Sequence, residues 1–201
     1  ADTEPPTAPT DLALTERTTT TVTLSWTAGT DNMGVAGYNV YQDGREVAVL
    51  TGEDTAYTVT GLEQGTSCSF TVKTRDRAGN LSEASRALEA ATVTLSLEPG
   101  KLESPLVADA YAEKRIPVTA AVTADDESYA VQLASARLEY RAAGQADWQS
   151  GYLSVRSAAV SGSWTISGDE DGYLPMGAYE LRITAVDSHG AAVTSEIISV
   201  T

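Results

Sequence analysis

The residues with the most reactive side chains in this chain offer little support for catalysis. His189 is the only histidine and directly follows Asp187 and Ser188, so that all three residue types of a hydrolytic triad stand together. A triad needs members that converge in space beside an oxyanion hole, which neighbours within one turn do not provide. The sequence also lacks a Gly-x-Ser-x-Gly motif. We therefore interpret His189 as a turn residue and predict no catalytic residue.

Acidic side chains form two clusters, Asp125-Asp126-Glu127 and Asp169-Glu170-Asp171. Calcium needs several hard oxygen ligands that converge from a loop. The second cluster begins like a calcium loop but lacks the later ligands and the terminal glutamate. We interpret both clusters as solvated loops, and whether they bind calcium stays open. A zinc site is excluded by the single histidine and single cysteine. We predict no cofactor and no metal ligand.

Three aromatic residues could stack on a sugar ring or contact a protein. They are Trp148, Tyr152 and Tyr173, which lie outside the clear inward-facing series, whereas Trp26, Tyr38 and Trp164 are assigned to the core. A sugar-binding platform needs two or three aromatic rings on one flat face. Packing in the core or at its edge is the alternative for all three, because large aromatic side chains are usually mostly buried.

The elements that would position these residues are short β-strands. Apolar residues alternate with polar ones, which is typical of half-buried antiparallel strands. Turn residues such as Asp43-Gly44 and Ala78-Gly79-Asn80 separate the runs. We expect the segment 125–135 to be a loop and a bulge near 195–198. The inward series are Val22/Leu24/Trp26, Tyr38/Val40, Tyr57/Val59, Cys68/Phe70/Val72/Thr74, Ile116/Val118/Ala120/Val122, Ala136/Leu138/Tyr140, Trp164/Ile166 and Tyr179/Leu181/Ile183/Ala185.

Composition limits the classes of partner. The 201 residues carry a formal charge of −15, divided almost evenly between residues 1–92 and 93–201. Such a field repels phosphate backbones and anionic membranes, so we expect no nucleic-acid partner. No run approaches the length of an apolar membrane helix, and we expect no membrane insertion. The single cysteine, Cys68, excludes an internal disulfide.

A weak internal repeat indicates two domains. The segment 68–80 matches 179–191 at a constant offset, which aligns Phe70 with Leu181 and Asp76 with Asp187. Self-similarity of this kind predicts two copies of one architecture. We therefore predict an all-β fold of two tandem immunoglobulin-like antiparallel β-sandwiches, comprising residues 1–92 with a short Pro-rich lead-in and residues 93–201. The connection between them is short.

The first half resembles the fibronectin type III family. The motifs that carry the resemblance are TAPTDLALT, VTLSW, GYNVYQDG, YTVTGL and the run from Gly65 to Ser82. The phrases TDNMGVAGYNVYQDG and DRAGNLS are similar to copies in secreted bacterial glycan-degrading enzymes, where the module is non-catalytic. The family usually has tyrosine at the position of Cys68, which we expect to be a small buried residue. Tyr179 holds the equivalent position in the second half, which resembles immunoglobulin-like and fibronectin-like sandwiches.

The resemblance implies a spacer or presentation module pair in a larger extracellular bacterial protein, either secreted or attached to the cell surface. Its partners would be neighbouring domains of the same polypeptide, and a glycan or a surface protein is a further candidate. The alternative is a carbohydrate- or protein-binding module that acts through the second domain. An enzyme is the least favoured hypothesis, because no nucleophile, base and orienting group can be named.

Overall fold

The β-strands of this chain belong to two separate units. The computed structural model describes residues 2–102, 114–166 and 178–200. The first unit is Ala1–Val93 and the second is Thr94–Thr201. Every strand pairing in the described ranges is antiparallel, which confirms the predicted all-β class. Within those ranges no helix is long and apolar enough to cross a membrane.

The first unit packs a three-stranded sheet against a four-stranded sheet. The strand orders are β1-β2-β5 and β4-β3-β6-β7. The strands are β1 Thr10–Arg17, β2 Val22–Thr27, β3 Val35–Gln42, β4 Arg45–Thr51, β5 Ala56–Val59, β6 Ser67–Asp76 and β7 Leu88–Ala91.

The core of the first unit consists of the predicted inward series. Leu24 on β2 and Phe70 on β6 are fully buried. The rings of Trp26 and Tyr38 meet edge to face, with centroids 5.4 Å apart. Cys68 is 3% exposed, which confirms it as a small buried side chain. These residues come from both sheets, so one continuous apolar core holds the two layers together.

The second unit is one continuous path of paired strands that changes layer at β11. The path runs β14-β13-β10-β11-β12-β9-β8, and β15 also pairs with β13. Residues 149–153 of β11 pair with β10, whereas residues 154–156 pair with β12. The strands are β8 Leu95–Pro99, β9 Lys114–Ala124, β10 Leu133–Ala142, β11 Gln149–Arg156, β12 Ala159–Ile166, β13 Tyr179–Asp187, β14 Ala192–Thr194 and β15 Ile198–Val200.

Aromatic side chains join the two layers of the second unit. The ring of Trp164 on β12 lies 5.5 Å from that of Tyr140 on β10 and 5.2 Å from that of Tyr179 on β13. Trp164 is buried, as the alternation predicts. Residues 125–132 form the predicted loop, which contains a turn closed by the Tyr129 N–H on the Asp126 carbonyl. The loop ends earlier than predicted, because β10 begins at Leu133.

Both units contain the same buried aspartate loop. Asp76 Oδ1 accepts the backbone N–H of Asn80 at 2.8 Å, and Asp187 Oδ1 accepts that of Ala191 at 2.9 Å. Each aspartate N–H also donates to the backbone carbonyl of that same later residue of its own loop. Both aspartates are 1% exposed. The loop geometry confirms the internal repeat seen in the sequence.

In both units a serine hydroxyl takes the place of a backbone carbonyl as the acceptor for a strand N–H. Ser85 Oγ accepts the Val72 N–H at 3.0 Å, and Ser195 Oγ accepts the Ile183 N–H at 3.0 Å. Each serine N–H donates to the carbonyl of the same partner, at 2.8 and 2.9 Å. Beyond Ser195 the pairing with β13 shifts by one residue before β15 begins, which confirms the predicted bulge.

Candidate functional site

The outer face of the β11-β10-β13 sheet carries two of the three aromatic residues singled out in the sequence. Tyr152 is paired with Arg137 and is 97% exposed, whereas Trp148 lies just before β11 and is half-buried. Strand alternation places both residues on the same side of β11, opposite Leu153 in the core. Tyr173 lies outside the described residues. We call this surface the outer face.

Trp148 is covered by arginine side chains. The guanidinium carbons of Arg141 and Arg182 each lie 4.4 Å from the centroid of its ring. A cation placed against an indole ring is attracted by the ring quadrupole. Guanidinium groups therefore occupy ring surface that a sugar would use for stacking. Tyr152 is the more accessible of the two aromatic side chains.

An ion-pair network fixes these arginines. Glu139 accepts from Arg182 Nε at 3.0 Å, from Arg182 Nη2 at 3.3 Å and from Thr184 Oγ1 at 3.2 Å. The Arg182 hydrogen bonds outweigh the opposing effect of burial and hold the pKa of Glu139 below its ordinary value. On the same face, Arg141 Nε lies 2.7 Å from Glu180 Oε2. The network makes this face a preorganised polar surface with one projecting aromatic ring.

The His189 turn makes contacts that the sequence did not predict. Its Nδ1 lies 2.9 Å from the Tyr129 hydroxyl, 3.5 Å from Asp187 Oδ2 and 3.4 Å from Ser188 Oγ. The Ser188 hydroxyl and the His189 ring therefore do approach each other, which was not expected from the sequence. All of these described contacts use the same ring nitrogen, however, so the imidazole does not link a nucleophile on one nitrogen to a carboxylate on the other. These contacts hold the turn in place.

The acidic cluster at residues 125–127 lies in a loop and makes hydrogen bonds that hold it. Asp125 Oδ1 accepts the Thr94 N–H at 3.0 Å. Asp126 Oδ1 accepts from the backbone N–H and hydroxyl of Ser128, at 3.0 and 2.6 Å. These bonds assign local structural roles to the two carboxylates. The second predicted cluster, residues 169–171, lies outside the described residues.

Three other carboxylates meet in the first unit, and the sequence analysis did not single them out. Asp2, Asp31 and Asp76 each contribute one oxygen to a group whose members all lie within 4.8 Å of one another. They come from the lead-in, the β2–β3 loop and the end of β6. Strand direction could have revealed this proximity, because antiparallel strands return these three segments to the same end of the unit.

Sequence comparison identifies the first unit. The model of the family described as Fibronectin type III domain matches residues 7–91. Chitinase A1 of Niallia circulans is 50% identical over 99 residues, which are 49% of this chain and 14% of that protein. Exoglucanase A of Cellulomonas fimi is 49% identical over 94 residues, which are 45% of this chain and 11% of that protein. The chain thus spans less than a fifth of the length of these relatives.

Two solved structures are also similar. A two-domain fibronectin type III segment of chicken tenascin covers 95% of this chain and 96% of its own, at 18% identity and a TM-score of 0.40. Chitinase ChiA74 from Bacillus thuringiensis covers 99% of this chain and 29% of its own, at 22% identity and a TM-score of 0.42. The family match, together with the similar stretches of the chitinase and the exoglucanase, shows that residues 7–91 of this chain belong to the fibronectin type III family.

Proposed function

We propose that this chain is a non-catalytic pair of spacer and presentation modules within a larger extracellular bacterial polypeptide that acts on a glycan. The partners in this role are the neighbouring domains of the same polypeptide. The second unit takes the role of an immunoglobulin-like companion to the fibronectin type III domain.

This proposal rests on the variety of enzymes among the relatives of the first unit. They include chitinases, exoglucanases and an alpha-amylase, and the alpha-amylase of Niallia circulans is 43% identical over 91 residues. These names denote action on different polysaccharides. A domain shared among them at such identity supplies something other than recognition of one substrate. Holding domains apart is a task that suits all of these proteins.

The junction supports a spacer role. Val93 N–H donates to the Thr18 carbonyl within the first unit, at 2.9 Å. The next residue, Thr94, donates its N–H to Asp125 Oδ1 within the second unit, at 3.0 Å. Consecutive residues are therefore bonded into different units, and no free linker residue separates them.

The proposal is tested by incubating the purified chain with insoluble chitin, cellulose and starch. We expect no release of reducing sugars and no cosedimentation with any of the three. Turnover above the rate of a heat-denatured sample would contradict the non-catalytic role.

A binding role through the outer face is the second candidate function. It is favoured by Tyr152, whose side chain is almost fully exposed beside an ordered network of charged residues. Exposed tyrosines supply rigid contact area at glycan- and protein-binding surfaces. If the chain cosediments with a glycan, Tyr152→Ala and Trp148→Ala should weaken that binding. Met33→Ala is the control, because Met33 is 63% exposed in the other unit. Equal binding by all variants would exclude the outer face.

A further inference from the structure

We propose that the carboxylates of Asp2, Asp31 and Asp76 form a calcium site at the lead-in end of the fibronectin type III domain. This inference is independent of the spacer role. It names a ligand for three residues to which the proposed function assigns no task. The site would join the lead-in, the β2–β3 loop and the end of β6 through one ion.

The spacing of the oxygens suits a single calcium ion. One oxygen from each side chain lies within 4.8 Å of the other two. Calcium–oxygen distances of about 2.3–2.6 Å allow two ligands on opposite sides of one ion to be about 4.6–5.2 Å apart. The separations of the three oxygens are therefore compatible with one calcium coordination sphere.

Unpartnered buried oxygens provide a second and independent observation. Asp2 and Asp31 are half-buried residues, but Asp2 Oδ2 and Asp31 Oδ1 are themselves buried atoms, and neither oxygen has a hydrogen-bond partner in the described part of the chain. The other oxygen of each side chain is held in place. Asp2 Oδ1 accepts the Glu4 N–H at 3.1 Å, and Asp31 Oδ2 accepts the Met33 N–H at 2.7 Å. A buried carboxylate oxygen without a donor is unfavourable, and a cation would satisfy it.

The third carboxylate is rigidly placed. Asp76 is almost fully buried, and its two oxygens accept from the Asn80 backbone N–H at 2.8 Å and the Asn80 Nδ2 at 2.7 Å. Asn80 Nδ2 also lies 3.3 Å from the Asp2 carbonyl oxygen. Asn80 therefore ties the lead-in to the end of β6 beside the three carboxylates.

The three carboxylates have no lysine or arginine counter-ion within residues 2–102, 114–166 and 178–200. Like charges at this separation repel one another. A divalent cation removes that repulsion. The donors are all oxygens, a set that favours calcium over zinc or copper.

The second unit supplies an internal comparison. Its equivalent loop holds Asp187 in the same backbone geometry, and among the described residues a tyrosine and a histidine contact its Oδ2. The Tyr129 hydroxyl donates to Asp187 Oδ2 at 3.1 Å, and His189 Nδ1 lies 3.5 Å from the same oxygen. In this loop neutral or cationic protein groups meet the buried aspartate. In the first unit two further aspartates lie beside Asp76, where the second unit has a tyrosine and a histidine. This arrangement is consistent with a cation bound by the three carboxylates.

Calcium titration of the intact chain tests the site. After removal of metal with a chelating resin, we expect CaCl₂ to bind with 1:1 stoichiometry and a Kd of about 10⁻⁴–10⁻³ M, the range of extracellular calcium modules. Saturating calcium should raise the Tm, because it binds only the folded state. Asp31→Asn should weaken calcium binding at least tenfold, since the amide keeps one oxygen but loses the charge.

Two further variants make the result decisive. Asp2→Asn lies before the first strand and should also weaken binding tenfold without lowering the metal-free Tm. Asp54→Asn is the matched control, because this exposed residue lies in the β4–β5 loop at the same end and loses the same charge. Saturable binding that is lost in Asp31→Asn and Asp2→Asn but kept in Asp54→Asn supports the site. Absence of saturable calcium binding, equal binding by all variants, or tighter binding of MgCl₂ than of CaCl₂ would overturn it.

Discussion

Replacing Ser85 with alanine would test how the last strand of the fibronectin type III domain is held. Ser85 bonds to Val72 in both directions, through its N–H to the Val72 carbonyl at 2.8 Å and through its Oγ from the Val72 N–H at 3.0 Å. Alanine keeps the first bond and removes the second, together with the donation of the hydroxyl to the Arg86 carbonyl at 3.1 Å. The Val72 N–H is then left buried without its acceptor. The variant therefore isolates the serine hydroxyl as a substitute for a backbone carbonyl.

The expected loss of stability comes mainly from the orphaned Val72 N–H, because Arg86 is exposed and water can reach its carbonyl. An unsatisfied buried N–H costs about 1–3 kcal/mol. In a domain of about 90 residues each kcal/mol lowers the Tm by about 4–8 °C. The midpoint of this range, a loss of about 2 kcal/mol in unfolding free energy, predicts a fall of about 8–16 °C in the Tm of this domain.

Thermal unfolding followed by circular dichroism measures the change in Tm, and amide hydrogen exchange by NMR locates it. The Val72 amide should exchange faster in Ser85→Ala than in the wild type. Ser67→Ala is the control, because Ser67 is an exposed serine on the same strand, β6. An unchanged Tm together with unchanged protection of the Val72 amide would show that the hydroxyl is not the acceptor and would refute the reasoning.

Three further substitutions give distinct outcomes. Glu139→Gln should lower the unfolding free energy by about 1 kcal/mol at pH 7, a value reduced for the partial exposure of Arg182. Because the folded-state pKa of Glu139 is depressed, its stabilisation is present above the unfolded pKa of about 4.3 and disappears as pH falls through the folded pKa. Urea titrations should therefore show the difference between the two proteins closing in acid, and a difference independent of pH would contradict this. Phe70→Ala should cost about 3–5 kcal/mol in a urea titration, because a fully buried ring is removed, and a loss below about 1 kcal/mol would contradict the assigned core. Gly29→Ala should cost about 1–3 kcal/mol, because an added Cβ would collide with the Thr7 carbonyl; unchanged stability would show that the lead-in can move away.

Strands that bury alternate residues could be predicted from sequence. On β6 the inward positions Cys68, Phe70 and Val72 are all buried, so the period of two is fully visible in the residue types. The β4 strand has no such signal, because most of its residues are exposed, including Val47 and Val49. Its place in the sheet follows from pairing with β3, a tertiary property that local alternation does not encode.

Side-chain groupings from distant segments were harder to predict. Asp2, Asp31 and Asp76 are separated by many residues, and only the return of antiparallel strands brings them together. The sequence instead shows two contiguous acidic runs. In the first of these, Asp125 accepts the backbone N–H of Thr94 and has a local structural role. Likewise, Trp148 stood out as an aromatic residue, but its arginine neighbours come from other strands and could not be read from its own surroundings.

In its proposed role, this chain positions other domains of a larger polypeptide and has no catalytic activity itself. The most direct test of this role is deletion of residues 1–201 from the parent polypeptide, with rates measured on a soluble oligosaccharide and on the insoluble polymer of the same sugar. The spacer role predicts an unchanged kcat/KM on the soluble substrate and a lower rate on the insoluble one. A loss of kcat/KM on the soluble substrate, with the remaining domains still folded, would contradict this role.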